Sequence, residues 1–321
     1  MKDSLQTRET YYDSLKFMLM TLVILGHSID LSWGGVNSRL SESIQFLIYT
    51  FHMPLFVFLT GYFTNCQSAR FNKGIANFLL VYIIFQILHI VEDRRLPVIN
   101  DIFYPAFSLW YILSCVWWKL IARLLDGFQL TNKLILILSS IILSLAVGFI
   151  PSNSLSLQRT FSFLPFFICG FLMRGLNVKS YILKVNKYLC YILILLAFTL
   201  IYIANTNLFP YLTGRYWYSM MPISSFYGLI SRILWYFVAI VMSVSIMRIV
   251  PNTKFLSGEG SKTLQYYLLH TLMIPIFWVI CTKFGIEKNL IVAIFISIVS
   301  TVIIYFIKDK KLVSFLVKPL K

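Results

Sequence analysis

The chain is a succession of long apolar runs, separated by short segments punctuated by Pro, Gly, Asn and Asp. A helix needs about 20 residues to cross a hydrocarbon core about 30 Å thick, and about ten of the runs approach that length. The predicted spans are residues 16–34, 44–64, 75–91, 106–125, 133–150, 160–175, 188–204, 229–248, 263–281 and 289–307. The pattern predicts an all-α membrane protein, a bundle of about ten transmembrane helices forming a single domain over residues 1–321.

Composition supports a lipid-facing protein. Hydrophobic residues make up 59% of the chain, charged residues 12%, and the mean hydropathy is +0.79, whereas about a quarter of a typical soluble domain is charged. The formal charge of +16 would suggest nucleic acid for a soluble protein. Here the basic residues are spread thinly between apolar runs, which favours membrane lipids as partners and no nucleic acid. Some of these cations could also meet an anionic cofactor.

The distribution of basic residues predicts the orientation, because short cytoplasmic loops are enriched in Lys and Arg. With the N-terminus inside, most of the 28 basic residues fall on the cytoplasmic side. The smaller set on the outer side is Arg39, Arg94, Arg95, Arg159, Arg215, Arg232, Lys283 and Lys288. Both termini are therefore expected in the cytoplasm, with a bacterial cytoplasmic membrane as the expected location.

The first span contains the residues best suited to catalysis. His27 lies about 16 Å further along the helix than Lys16, near the bilayer midplane if Lys16 marks the cytoplasmic boundary. Asp13, Lys16 and His27 also share one stripe of the helix. An ionisable residue at that depth normally faces a polar cavity, and histidine suits acid–base catalysis near neutral pH. The alternative is a neutral histidine that donates one hydrogen bond to a neighbouring helix.

The second span adds further candidates. Pro54 frees a backbone carbonyl, which a membrane helix tolerates where neighbours or a cavity satisfy it. The adjacent His52 could face the same cavity as His27 or simply be packed. Arg70 and Lys73 follow on the predicted cytoplasmic side, where two cations one turn apart could bind a phosphate. Ordinary positive-inside residues would look the same.

Several motifs, taken in order, resemble the acyltransferase 3 family of integral membrane O-acyltransferases. The matching residues are Lys16 and His27 preceded by Asp13, the Pro54-to-Gly61 run, Arg70 with Lys73, Leu109-Trp110-Tyr111, and residues 163–170 and 264–270. The Phe51-His52-Met53-Pro54 step resembles the branch of small stand-alone sugar O-acetyltransferases. Lys replaces the family's usual Arg at positions 16 and 73, and Thr60 replaces the usual Ser. Lys keeps the charge but loses the planar fork that binds phosphate bidentately.

The resemblance implies an enzyme that moves an acyl group, by default acetyl, from acyl-CoA to a hydroxyl of a polysaccharide or lipid-linked sugar. Acyl-CoA would be a donor substrate, with no tightly bound cofactor and no metal. His27 would remove a proton from the attacking hydroxyl or relay the acyl group, and Asp13 would orient the neighbouring cations. The CoA phosphates would be held by Lys16, Arg70 and Lys73. The candidates for lining the substrate cavity are His52, Trp110 and His270.

Two other functions are compatible with the sequence. A multi-pass transporter would use the buried histidines as a proton relay and the broken second helix as part of a gate. The second is a non-catalytic subunit of a polysaccharide export system, which would need neither a proton relay nor a gate. The aromatic loop near residues 205–228 could stack against a sugar, or it could belong to the interfacial aromatic belt.

Overall fold

The computed structural model describes residues 10–30, 35–92, 96–127 and 132–320, and in these ranges the chain is helical with no β-strand. Fifteen α-helices are assigned within these ranges. They are α1 Thr10–Ile29, α2 Arg39–Tyr62, α3 Phe71–Glu92, α4 Trp110–Gly127, α5 Lys133–Val147, α6 Leu157–Ser162, α7 Leu164–Leu172, α8 Val178–Ile182, α9 Lys187–Ala204, α10 Phe209–Leu212, α11 Ser225–Ile249, α12 Lys254–Gly260, α13 Thr263–Lys283, α14 Leu290–Ile307 and α15 Lys311–Val317.

Each predicted span overlaps a helix, but the number of membrane crossings is not confirmed. Six described helices are long and apolar enough to cross a membrane, namely α2, α3, α9, α11, α13 and α14. A seventh crossing is possible if the pair around α6 and α7, bent by 58°, forms one broken span. The helix α5 is apolar but shorter, with 15 residues. The protein is thus a multi-pass helical membrane protein, and ten crossings stays a prediction, as does the location of both termini.

Helix α2 lies at the centre of the bundle and packs against α1, α7, α9 and α11. In its most apolar window 67% of residues are buried within the protein, compared with 6% for α9. Helix α9 therefore presents nearly all of its apolar surface outward, as expected for a helix in contact with lipid.

The crossing of α2 and α7 depends on two glycines. A Cβ atom on Gly61 would lie 2.1 Å from the carbonyl oxygen of Phe167, and one on Gly170 would lie 2.0 Å from that of Phe58. Both distances are far below van der Waals contact, so only glycine allows these backbones to approach so closely. This close contact fixes where α7, and the bend before it, sit against the central helix.

Candidate active site

A cavity of about 330 Å³ lies among the end of α1, the middle of α2, the segment before α4, the bend before α7, the loop around α10 and the start of α13. It is called the histidine cavity here. Its lining is His27, Asp30, Tyr49, His52, Met53, Tyr104, Pro105, Phe107, Ser108, Trp110, Asn153, Ser156, Arg159, Phe163, Phe209, Leu212, Thr213, Arg215 and Tyr267. The loops that contribute to it are all ones that the sequence predicts on the outer side.

His27, in the last turn of α1, is linked to a carboxylate through a tyrosine. The hydroxyl of Tyr49 donates to Oδ2 of Asp30 at 2.9 Å, and it lies 3.3 Å from Nδ1 of His27. Because the hydroxyl of Tyr49 donates its proton to Asp30, the Tyr49 oxygen can accept a hydrogen bond from Nδ1–H of His27. This arrangement favours the tautomer in which Nε2 of His27 is the basic nitrogen.

Two more histidines lie beside this chain of hydrogen bonds. The imidazole of His270 stacks on that of His27, with ring centroids 5.4 Å apart and planes inclined by 23°. Nδ1 of His270 donates to the carbonyl of Tyr266 at 2.9 Å, and Nδ1 of His52 donates to that of Ile48 at 2.8 Å. A carbonyl can only accept, so each bond fixes the tautomer of a neutral ring. The structure thus brings together three predicted histidines that come from α1, α2 and α13, of which His27 and His52 line the cavity and the buried His270 does not.

An arginine is stacked on the predicted tryptophan. Trp110 lies against Phe163, with centroids 5.3 Å apart and planes inclined by 24°, and the guanidinium of Arg159 lies 4.9 Å from the Trp110 ring centroid. Just before Arg159, both Leu155 and Ser156 have positive φ, of 53° and 61°. For residues other than glycine this conformation costs about 1–3 kcal/mol each, and such strain is concentrated at functional sites.

A second cavity, of about 220 Å³, contains the predicted donor-site lysine and is called the lysine cavity. It is lined by Lys16, Met20, Met53, Phe56, Leu59, Thr60, Phe63, Phe78, Tyr111, Cys115, Thr263, Leu264 and Tyr267. Met53 and Tyr267 line both cavities. The two cavities therefore adjoin at these two residues, with the predicted cytoplasmic Lys16 in the lining of one and His27 in the lining of the other.

The remaining predicted residues lie apart from His27. Asp13 pairs with Lys16, with 2.8 Å between Oδ1 and Nζ, and the helical rise places it about 21 Å along α1 from His27. Arg70 and Lys73 are exposed at the start of α3 and line neither cavity. The structure thus associates Asp13 with the lysine and not with the histidine. The depth of His27 in a bilayer stays a prediction.

Several lining residues were not anticipated from the sequence, chiefly Asp30, Tyr49, Arg159 and Arg215. Asp30 could have been found, because a residue three positions after His27 falls on nearly the same helical face. Arg159 and Arg215 were interpreted only as outer-loop cations, since nothing local in the sequence connects two loops so far apart. Among the described residues, no three His, Cys, Asp or Glu side chains are grouped so as to hold a metal ion.

Comparisons with known proteins point to acyl transfer. A family model described as an acyltransferase domain matches residues 9–309. Nodulation protein NolL of Sinorhizobium fredii is 27% identical over 188 residues, which cover 51% of this chain and 48% of that protein. The chain thus spans about half the length of this curated relative. No solved structure matches the chain.

Proposed function

Because this chain belongs to the acyltransferase family whose domain spans residues 9–309, we propose that it moves an acyl group from acyl-CoA to a sugar hydroxyl. The acyl group is acetyl by default, and the acceptor is a cell-surface polysaccharide or a lipid-linked glycan at a bacterial cytoplasmic membrane. One observation carries the proposal. A histidine that contacts a tyrosine hydroxyl lies in one cavity, and that cavity shares two lining residues with a second cavity that contains a lysine.

The lysine cavity is proposed to receive the acyl-CoA. Lys16 lies in its wall, held by Asp13 on one side and placed 4.7 Å from the ring centroid of Phe63 on the other. The ammonium group can meet a phosphate as a point charge, while the apolar remainder of the lining suits the pantetheine arm. Arg70 and Lys73 are exposed and follow the lining residue Phe63 in the sequence. They would meet the more distal phosphates outside the cavity.

The wall between the cavities is proposed to open at Met53. Tyr267 is held in place, because its hydroxyl donates to the backbone carbonyl of Ser108 and its ring packs 5.4 Å from that of Tyr111. Methionine is unbranched, with three rotatable side-chain bonds, and adapts easily to a new shape. A change of the Met53 rotamer would let the thioester reach His27 without a movement of the helices.

The proposed reaction is a direct transfer with His27 as general base. The acceptor oxygen attacks the thioester carbonyl carbon while Nε2 of His27 takes the hydroxyl proton. The new C–O bond forms, the C–S bond breaks, and the departing thiolate takes up that proton to give CoA-SH. Tyr49 and Asp30 orient the ring and stabilise its protonated form, as a carboxylate does in other histidine-based sites.

Replacing Tyr49 with phenylalanine should lower kcat about 10- to 100-fold, because the link between His27 and a charged carboxylate is worth about 1.5–3 kcal/mol. The KM for acyl-CoA should stay unchanged, since Tyr49 lines only the histidine cavity. The matched control is Tyr62→Phe in the same helix, which removes a hydroxyl bonded to the carbonyl of Leu176. Equal kcat values for the two variants would contradict the proposed role of Tyr49.

The activity itself is tested with purified protein in lipid nanodiscs, labelled acetyl-CoA and an extracted membrane glycan fraction. Transfer of label to glycan supports the enzyme. Uptake of the donor or glycan into proteoliposomes without transfer would identify a transporter, and neither result would point to a non-catalytic subunit. Lys16→Gln should raise the KM for acetyl-CoA, whereas Lys184→Gln, on an exposed predicted cytoplasmic loop, should not.

A further inference from the structure

The histidine cavity contains two arginines that have no acidic partner among the residues that the structure describes. Arg159 and Arg215 both line it, and within the ranges that the structure describes neither forms an ion pair with Asp or Glu. The one carboxylate in the lining is Asp30, which accepts the hydroxyl of Tyr49. Two guanidinium groups thus face one carboxylate, so the cavity has excess positive charge in addition to any charge on its histidines.

Arg159 is the more informative of the two. Its Nε atom is buried, and no described group accepts a hydrogen bond from it. A buried N–H donor without an acceptor costs free energy, so proteins normally pair it. The guanidinium lies over Trp110, with its carbon 4.9 Å from the ring centroid, and the side chain lines the cavity, where its N–H donors can meet a ligand. The stacking also limits its motion, so little entropy is lost when a ligand binds.

We propose that the acceptor is an acidic sugar, whose carboxylate or phosphate is bound by Arg159 and Arg215 while its hydroxyl is presented to His27. This rests on the proposed function and adds the chemical class of the acceptor. A guanidinium fork matches the two oxygens of a carboxylate, or of a phosphate, in a bidentate geometry. A cavity of about 330 Å³ is at the lower end of the range for small-molecule sites, which suits one sugar unit of a longer glycan.

The proposal predicts that binding depends on the acidic group of the probe. Wild-type protein in nanodiscs is titrated calorimetrically with methyl glucuronoside and methyl glucoside, then with the corresponding galacturonoside and galactoside. Glucose 1-phosphate serves as the phosphate-bearing probe, which distinguishes the two sources of negative charge. We expect at least one acidic probe to bind about tenfold or more tightly than its neutral counterpart. Equal affinity within every pair, or no binding of any acidic probe, would overturn the proposal.

Variants assign the preference to the two arginines. Arg159→Gln and Arg215→Gln should each reduce the ratio of acidic to neutral affinity at least threefold, and Arg159→Lys should retain part of it. Lys283→Gln removes an exposed cation that is also predicted on the outer side but lines neither cavity, and it should leave the ratio unchanged. If the ratio of acidic to neutral affinity stays unchanged in Arg159→Gln, the assignment is contradicted. If the ratio falls, a near-normal melting temperature of that variant excludes misfolding as the cause.

The acyl-transfer assay separates failure of this proposal from failure of the proposed function. Label transfer to neutral and acidic glycans at equal kcat/KM would retain the enzyme and reject the acidic acceptor. An Arg159→Gln variant that lowers kcat equally for both glycans, with no change in KM for either, would mean that Arg159 acts on the reacting carbonyl. That result would also overturn the assignment of an acidic acceptor.

Discussion

Replacing His27 with alanine is expected to lower acyl transfer about 10²- to 10⁴-fold, the range that a positioned general base contributes. The loss should be in kcat, measured with labelled acetyl-CoA on protein shown to be folded by its melting temperature. Binding of acetyl-CoA should persist, because the lysine cavity does not include His27.

A second buried histidine provides the control for this experiment. His89 in α3 is buried, contacts Thr271 and Glu92, and lines neither cavity. His89→Ala should lower stability but leave the activity per folded molecule near the wild-type value. Near-normal transfer by His27→Ala would remove His27 from the mechanism. Labelled protein formed before any acceptor is added, and absent in His27→Ala, would instead show that His27 relays the acyl group.

Replacing Gly61 or Gly170 with alanine should destabilise the protein by at least about 1–3 kcal/mol, the usual cost of overpacking a core. The added methyl group would meet a backbone carbonyl at about 2 Å in either case, and a backbone cannot move aside as a flexible side chain can. The melting temperature of detergent-purified protein is measured, and its monodispersity is checked by size-exclusion chromatography.

Gly74 is the matched control, because it also lies in a helix but an added Cβ would meet no atom within 4 Å. Gly74→Ala should hold or slightly raise the melting temperature, since alanine favours helix by about 1 kcal/mol relative to glycine. Unchanged melting in both Gly61→Ala and Gly170→Ala would show that α2 and α7 do not approach each other as closely as described.

Helix positions were predicted well from the sequence where the apolar run faces lipid. The spans predicted at 188–204 and 289–307 correspond to Lys187–Ala204 and Leu290–Ile307, because in these helices the hydrophobic segment and the helix are the same residues. The first helix begins at Thr10, earlier than the predicted span of 16–34, whose last four residues lie outside the part of the chain that the structure describes. Its first turns contain Asp13, which is 5% exposed and packs against Gly260 of α12. Protein rather than lipid surrounds these turns, so hydropathy could not detect them.

The residues of the candidate site were likewise predicted only in part from the sequence. Histidine at position 27 and lysine at position 16 were identified from local chemistry, since an ionisable side chain in an apolar run carries a free-energy cost that the sequence alone makes visible. Arg159 and Trp110 belong to one stack, yet they lie in different segments and neither residue indicates the other. Asp13 was expected to orient the neighbouring cations, and it pairs with Lys16, whereas Tyr49 and Asp30 beside His27 were not anticipated.

The sequence by itself determined that this protein is helical, lies in a membrane and belongs to an acyltransferase family, and it predicted a site on the first helix, since composition, periodicity and short motifs are local properties. Only the tertiary structure decided that Tyr49 lies between His27 and Asp30, that Met53 and Tyr267 line both cavities, and that two arginines line the same cavity as His27. The physical reason is that a cavity is formed by the packing of distant segments. Which side chains share it depends on backbone contacts such as those of Gly61 with Phe167 and of Gly170 with Phe58, whose geometry no local pattern encodes.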